Sequence, residues 1–334
     1  MTRGTIGIAV IGAGRIGQIH AGNVARHPGA NVRFVVDVNA AAARRLADEC
    51  SAEVGDAATA LADPDVQGVV IASSTDTHLP LIEAAAAAGK AVFCEKPLDL
   101  ETARAERCRE VAAAAGIPLF VGFNRRYDPS FRRMRDDIAR GAIGHIEMVT
   151  VTSRDPAPPP KAYLERSGGL FRDMMIHDFD MVRWLTGAEP RSVFAAGTAL
   201  FSADAGALGD VDTAAVVVEM DNGAWCQISN SRRCVYGYDQ RIEAFGAEGM
   251  LRAANATETR VELATAQGFL TEPALPFFLE RYEVAYRREI DDFVRALSGE
   301  THALAGAVDG VRALELADAA EASRRSGRAE AVGR

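Results

Sequence analysis

Asp173 and His177 stand four residues apart in the stretch Gly168–Asp180, GGLFRDMMIHDFD, and Asp180 follows three residues later. On a helix, that spacing puts the carboxylate and the imidazole on one face, one turn apart. Around them lie Leu170, Phe171, Met174, Met175, Ile176, Phe179, Met181, Val182, Trp184 and Leu185. A helix apolar on most of its other faces is expected to be buried. A carboxylate bonded to one ring nitrogen fixes the tautomer of a histidine and leaves the other nitrogen free to take a proton. The same residues also suit a solvent-facing stripe, or a helix start with Asp173 at the positive end of the dipole. The stretch by itself leaves both open.

Two other places carry chemistry. Lys96 lies in Glu95-Lys96-Pro97. The proline confines the lysine backbone to extended geometry. A lysine fixed there can hydrogen-bond a substrate hydroxyl and stabilise developing negative charge, although a surface lysine in a loop is the commoner case. Near the N-terminus, Gly12-Ala13-Gly14-Arg15-Ile16-Gly17 is a GxGxxG directly after the apolar run Ile6–Ile11. A helical stretch to Arg26 follows, then a second strand, Val32–Val36, ending in Asp37, 20 positions after Gly17. In that order the parts read as a dinucleotide site. Gly12 permits the tight turn, Gly14 lets backbone approach a pyrophosphate, and Gly17 packs helix on strand. The helix N-terminus, at Arg15 and Ile16, offers N–H groups to phosphate. Asp37 suits the adenosine ribose hydroxyls and repels a 2′-phosphate, so the expected cofactor is NAD.

The elements that must position these residues follow the same logic. Helices are expected at about Ala40–Cys50, Asp56–Ala62, up to Ala88, and Glu101–Ala115. Strands are expected at Gly68–Ala72, Ala91–Cys94 and Pro118–Phe123. Alternation of this kind is a doubly wound parallel α/β sheet, the Rossmann class, over residues 1–123. Ligands bind at the carboxyl ends of such strands, where Ser73, Ser74, Thr75, His78, Glu95 and Lys96 fall; these six complete the expected cofactor set. From 124 to 334 the pattern changes to an α+β domain with a large, mostly antiparallel sheet. A basic helix is expected from Asn124 to Arg140. Strands are expected at Ile146–Ser153, Val193–Leu200, Ala214–Met220, Trp225–Ser231, Gln240–Phe245 and Arg260–Ala264. Helices Phe278–Leu297 and Val308–Arg324 close the chain, and the last is free to pack back on the first domain.

Composition limits the function classes. Apolar residues are 48% and charged residues 25%, ordinary for a globular chain. The net charge is −9 and no basic block dominates any segment, so a nucleic-acid partner is not expected. Five cysteines without CxxC spacing read as free thiols in a reducing, cytoplasmic setting. The six histidines show neither HExxH nor HxH, so no metal is expected. Met1–Gly4 runs straight into a strand, against a signal peptide, and the apolar runs are too short to span a bilayer.

Taken together, the GxGxxG, Glu95-Lys96-Pro97 and Asp173-x-x-x-His177-Asp178 resemble the glucose–fructose oxidoreductase/inositol dehydrogenase/rhizopine catabolism family over essentially the whole chain. Gly122–Pro129, Ser153–Pro156 and Ser167–Asp180 most resemble its inositol 2-dehydrogenases. The resemblance implies a Rossmann domain plus an open-faced sheet domain, a homotetramer joined through the sheets, and a catalytic set at Lys96, Asp173 and His177. It also implies a polyol pocket touched by Lys96, Arg126, Asp155, Asp173, His177, Tyr236 and Tyr238. The implied reaction is NAD-dependent oxidation of myo-inositol to 2-keto-myo-inositol, with His177 as general base. Ser153-Arg154-Asp155 departs from the His-Arg-Asn of some relatives, which leaves the stereoisomer open. Oxidation of scyllo-inositol or a pyranose is the nearest competitor. A non-catalytic NAD-binding regulator and a hydrolase using NAD transiently are the others.

Overall fold

The computed structural model describes residues 5–333. The Met1–Gly4 stretch used above against a signal peptide lies outside the described residues, as does Arg334. The chain falls into two compact units. One comprises the chain up to Tyr127 together with Ala285–Leu314, and the other Asp128–Val284 together with the residues from Glu315 onward.

The first unit is built on strands β1 (Ile6–Ile11), β2 (Ala30–Val36), β3 (Glu53–Val54), β4 (Val66–Ile71), β5 (Ala91–Cys94) and β6 (Leu119–Val121), all parallel. Between them run α1 (Arg15–Arg26), α2 (Ala40–Cys50), α3 (Ala57–Ala62), α4 (His78–Ala87) and α5 (Thr102–Ala115). Crossover helices cover both faces of a parallel sheet, so its strands must be continuously apolar. Accordingly Ile8, Val10, Val70 and Phe93 are completely buried.

The second unit opens with a 3₁₀ turn's successor, α6 (Pro129–Ala139), capped by Asp128, whose carboxylate accepts the N–H groups of Ser130 and Phe131. The expected Asn124–Arg140 helix is therefore two elements. Asn124–Tyr127 is a buried 3₁₀ turn, and proline at the first helical position restarts the chain as α6. The sheet consists of β7 (Ile146–Arg154), β8 (Pro190–Thr198), β9 (Thr213–Met220), β10 (Trp225–Ser231), β11 (Asp239–Gly246) and β12 (Gly249–Ala253). Only β7 and β10 pair in parallel. Helices α7 (Lys161–Ser167), α8 (Leu170–Asp173), α9 (Ile176–Thr186) and α10 (Ala203–Ala207) lie between β7 and β9 in sequence. Burial alternates along these strands, as it does in a sheet packed on one face only. On the other face a row of exposed apolar side chains runs through the cross-strand register: Met250 opposite Phe245, Phe245 opposite Met148, Met148 opposite Trp225. A hairpin, β13 (Glu262–Thr265) and β14 (Gly268–Thr271), follows; the sequence patterning had shown only its first strand.

The expected helix Phe278–Leu297 also divides, into α11 (Phe278–Arg281) and α12 (Glu283–Leu297). From Ala285, α12 belongs to the first unit, where Ile290 and Phe293 join the core around Phe93 and Phe120. The short strand β15 (Ala305–Gly306) then pairs antiparallel with β6 at the edge of the first sheet. Helix α13 (Ala307–Ser326) and strand β16 (Glu330–Ala331), paired with β8, end the chain. A single boundary after Phe123 thus differs from the observed division, because the apolar face of α12 is used by the first sheet. All five cysteines are free.

Candidate active site

In the first unit the glycines act as their positions require. Gly12 has φ +109°, and a Cβ there would sit 2.5 Å from the Ala72 carbonyl oxygen. A Cβ on Gly17 would lie 1.8 Å from the Gly12 oxygen, so α1 can pack this closely only on glycine. A Cβ on Gly14 would meet nothing within 4 Å. Gly14 is the N-cap of α1 and supplies no side-chain cap, and the first turn holds no acid. A helix start of this kind, with open space over its N–H groups at Arg15 and Ile16, fits a pyrophosphate. Asp37 is half-buried at the end of β2. One oxygen accepts the Ala13 N–H at 2.6 Å and the other the Asn39 N–H at 2.7 Å. Each oxygen keeps a lone pair for a ribose hydroxyl, so one carboxylate both braces the glycine turn and fits the adenosine end of NAD.

At the ends of β4 and β5 the loops are tied together. The Ser73 hydroxyl pairs with that of Thr77 at 2.6 Å, closing the turn that contains Ser74 and Thr75. His78 is 1% exposed, with Nδ1 2.9 Å from the Pro97 carbonyl oxygen and Nε2 3.2 Å from that of Ser73. Burial lowers the pKa of this imidazole. A neutral ring donates through one nitrogen only, and the shorter contact makes Nδ1 the donor. Through Nδ1 the ring holds the β4 loop to the Lys96–Pro97 turn. Glu95 is also buried, between Nε2 of His20 at 2.7 Å and the Lys96 N–H at 3.2 Å. Arg126 belongs to this unit too, 7% exposed, with its guanidinium 3.1 Å from Asp309.

In the second unit, Asp173 and His177 are not on one helix. Asp173 ends α8, and His177 is the second residue of α9. The Met175 N–H reaches back to the Leu170 carbonyl at 2.9 Å, one residue wider than an α-helical bond, and that step separates the two helices. The start of α8 is pinned by Asp210, which accepts the Leu170 N–H at 2.9 Å. Helix α9 is pinned to the sheet by the fully buried Asp178, whose oxygens accept from Ser153 at 2.5 Å and Asn230 at 2.8 Å.

Asp173 is 8% exposed, and its two oxygens accept from the Tyr163 hydroxyl at 2.7 Å and from Nη1 of Arg232 at 3.1 Å. Arg232 is 1% exposed and also feels the charges of Asp155 and Asp210. Asp155 is fixed by its N–H bond to the Ser231 carbonyl at 2.9 Å. The Tyr163 ring is half exposed, but desolvation at its hydroxyl end and the adjoining Asp173 charge hold the phenol protonated. Tyr163, Arg232 and Asp210 were missed by sequence reasoning, since none lies in a motif or at helical spacing from Asp173. The two expected pocket tyrosines diverge. The Tyr236 hydroxyl accepts from Arg154 and donates to Asp239, both at 2.7 Å. Tyr238 is buried edge-on against Phe277 and Tyr282.

A Rossmann unit with an anion-ready glycine turn, in one chain with a unit that buries a braced carboxylate close in sequence to an imidazole, defines a nicotinamide-dependent oxidoreductase. Residues 6–123 match the GFO/IDH/MocA oxidoreductase family with its NAD-binding Rossmann fold, and residues 131–252 match the GFO/IDH/MocA C-terminal domain. The chain belongs to this family. It is 46% identical, over 95% of its length and 96% of the relative, to the inositol 2-dehydrogenase of Rhizobium meliloti. Among solved structures, a myo-inositol dehydrogenase from Corynebacterium glutamicum superposes with a TM-score of 0.94 at 40% identity, covering 99% of both chains. The scyllo-inositol dehydrogenase of Lactobacillus casei, solved with NAD(H) and scyllo-inositol, gives 0.89 at 30% identity over 98% of this chain and 99% of that one.

Proposed function

We propose that this chain oxidises myo-inositol to 2-keto-myo-inositol with NAD. The carrying observation is the Asp173 carboxylate, held on both oxygens by Tyr163 and Arg232 four residues before His177. His177 takes the hydroxyl proton. Asp173 stabilises the imidazolium so formed, and its own place is fixed by the two donors. Lys96 holds the substrate oxygen as it becomes a carbonyl. NAD, when bound at the Gly12–Gly17 turn, supplies the hydride acceptor. A ring bearing a hydroxyl on every carbon needs many polar partners, and Asp155, Arg126 and Tyr236 are the side chains proposed to contribute them. The relatives named inositol 2-dehydrogenase and myo-inositol dehydrogenase support this reading. The Lactobacillus casei structure with scyllo-inositol supports scyllo-inositol as the second substrate.

A panel of inositols and pyranoses, followed by NADH absorbance, tests this. The highest kcat/KM is expected with myo-inositol, and no NAD reduction with any cyclic polyol would sink the proposal. A homotetramer is part of the same reading. The row Met250, Phe245, Met148 and Trp225 is the apolar face that a second copy would cover. Trp225→Glu should lower the mass measured by light scattering; an unmutated chain that runs as a monomer would refute the assembly.

A further inference from the structure

The covered face of the second sheet is ordered in rows. Val151 of β7 stands opposite Ile228 of β10 and Ile242 of β11, and all three are buried. Two residues further along the same strands, Ser153 stands opposite Asn230 and Gln240. Directly paired residues point to one face, and strand alternation keeps this row on the side of Val151. All three polar side chains are buried. Two residues further again come Asp155 and Arg232, and Arg232 holds Asp173. Burying hydroxyl and amide groups where an apolar row precedes them is costly unless each is bonded. Among the described residues, Oδ1 of Asn230 and Nε2 of Gln240 have no hydrogen-bond partner. An apolar row would be the more stable choice there.

The bonds that the row does make converge on the base helix. The Ser153 hydroxyl donates to one oxygen of Asp178 at 2.5 Å, and the Asn230 amide donates to the other at 2.8 Å. Oε1 of Gln240 lies 3.3 Å from the Ser153 hydroxyl and accepts from the Tyr282 hydroxyl at 3.2 Å. Asp178 sits in the first turn of α9, next to His177. The helix dipole favours a carboxylate there. The first N–H groups of a helix lack intrahelical partners, and the wide turn at Met175 interrupts the bonds from α8. The backbone that carries His177 therefore depends on what Asp178 grips.

We propose that Ser153 is a positioning residue for the base: through Asp178 its hydroxyl fixes the first turn of α9, and with it the place of His177, against strand β7. The same strand leads straight into Asp155, the carboxylate assigned above to the polyol. One strand thus sets the distance between the base and a group that holds the substrate. The effect on turnover rests on the reading of His177 given above.

Variants of the full chain test this. Ser153→Ala removes one donor and leaves Asn230 on Asp178. It should lower kcat about tenfold with KM for NAD unchanged, because a displaced base slows the reaction and leaves the dinucleotide site alone. Asp178→Ala should fall at least as far. Asp178→Asn should stay within about threefold of the parent, since its carbonyl accepts from Asn230 while its amide donates to the Ser153 oxygen. Added to His177→Ala, Ser153→Ala should cost nothing more, as expected when one residue acts through the other. In NMR spectra of the chain with isotope-labelled histidine, the ring signal that disappears in His177→Ala should shift in Ser153→Ala, while the other histidine signals stay in place. A Ser153→Ala chain that melts lower yet keeps its kcat would make the row purely structural and overturn the proposal. So would a full further loss in the double variant, equal losses in Asp178→Asn and Asp178→Ala, or an unmoved His177 signal. The NMR comparison needs no substrate, so a chain that failed to oxidise any cyclic polyol would refute the proposed function and leave this inference to be judged on that signal.

Discussion

In the first unit the chemistry is presented by backbone. Three glycines shape a helix start, and Lys96 is placed through the Pro97 carbonyl and its own N–H. In the second unit it is presented by side chains from three separate segments, Tyr163, Asp173 and Arg232, which meet on one carboxylate. Backbone devices are local in sequence and depend on residues that leave room. Side-chain devices depend on the packing of distant strands and helices, and they carry charge into the interior. The two halves should therefore fail differently: the first by losing affinity for cofactor, the second by losing turnover.

The sharpest separation is at His177. His177→Ala is expected to lower kcat by ~10²–10⁴-fold, with NAD binding by fluorescence titration unchanged. Asp173→Ala combined with it should cost little more than the worse single change. If His177→Ala instead loses thermal stability and keeps its kcat, the second half is a core element and the contrast collapses. Next is the cofactor half: Asp37→Ala should lower the kcat/KM preference for NAD over NADP by about tenfold, one lost charge-assisted contact. Equal values in the unmutated chain would break that side.

Two smaller effects sharpen the contrast within the second unit. Asp212 is completely buried and accepts the N–H groups of Leu200, Phe201 and Ser202. Burial would raise its pKa, but these bonds prevail and hold it below the usual range. Asp212→Asn should cost about 2 kcal/mol in denaturant unfolding at neutral pH, leaving kcat intact. A lowered folded pKa stabilises above the unfolded value and loses that contribution as pH falls, so the difference between parent and variant should close in acid. The least change is expected for Tyr163→Phe, about 1 kcal/mol, read as a several-fold fall in kcat with unchanged KM for NAD. No fall at all would show that the Tyr163 hydroxyl does not brace Asp173 for turnover.

The same contrast explains what could be read from sequence. Gly12, Gly14, Gly17, Asp37 and the turn at Lys96 were legible because each is needed by the chain segment that contains it. The strands from Ile6 to Phe123 and from Ile146 to Phe245 were legible from their apolar pattern, to within a few residues, except the exposed two-residue β3, which has no apolar run to show it. The break between Asp173 and His177 was not, since Met174 and Met175 are good helix formers. The wide turn there follows the tertiary bond from Asp210 to Leu170. Arg232 reads as one of two arginines after a strand, and only the meeting of α7, α8 and β10 shows which is buried. His78 was legible as a residue of the site but not as a brace, because its partner Pro97 lies 19 residues on.

The division of the chain at Tyr127 and again at Ala285 has a consequence for synthesis. The first sheet lacks β15 and the Ile290 and Phe293 face of α12 until residue 306 has emerged from the ribosome. Its core therefore cannot be complete when its six parallel strands are. The nascent first unit must wait, with part of its sheet uncovered, while strands β7 to β12 of the second sheet are made. A fragment stopped after Phe123 would expose that same apolar surface, and aggregation rather than an isolated cofactor-binding module is its expected fate.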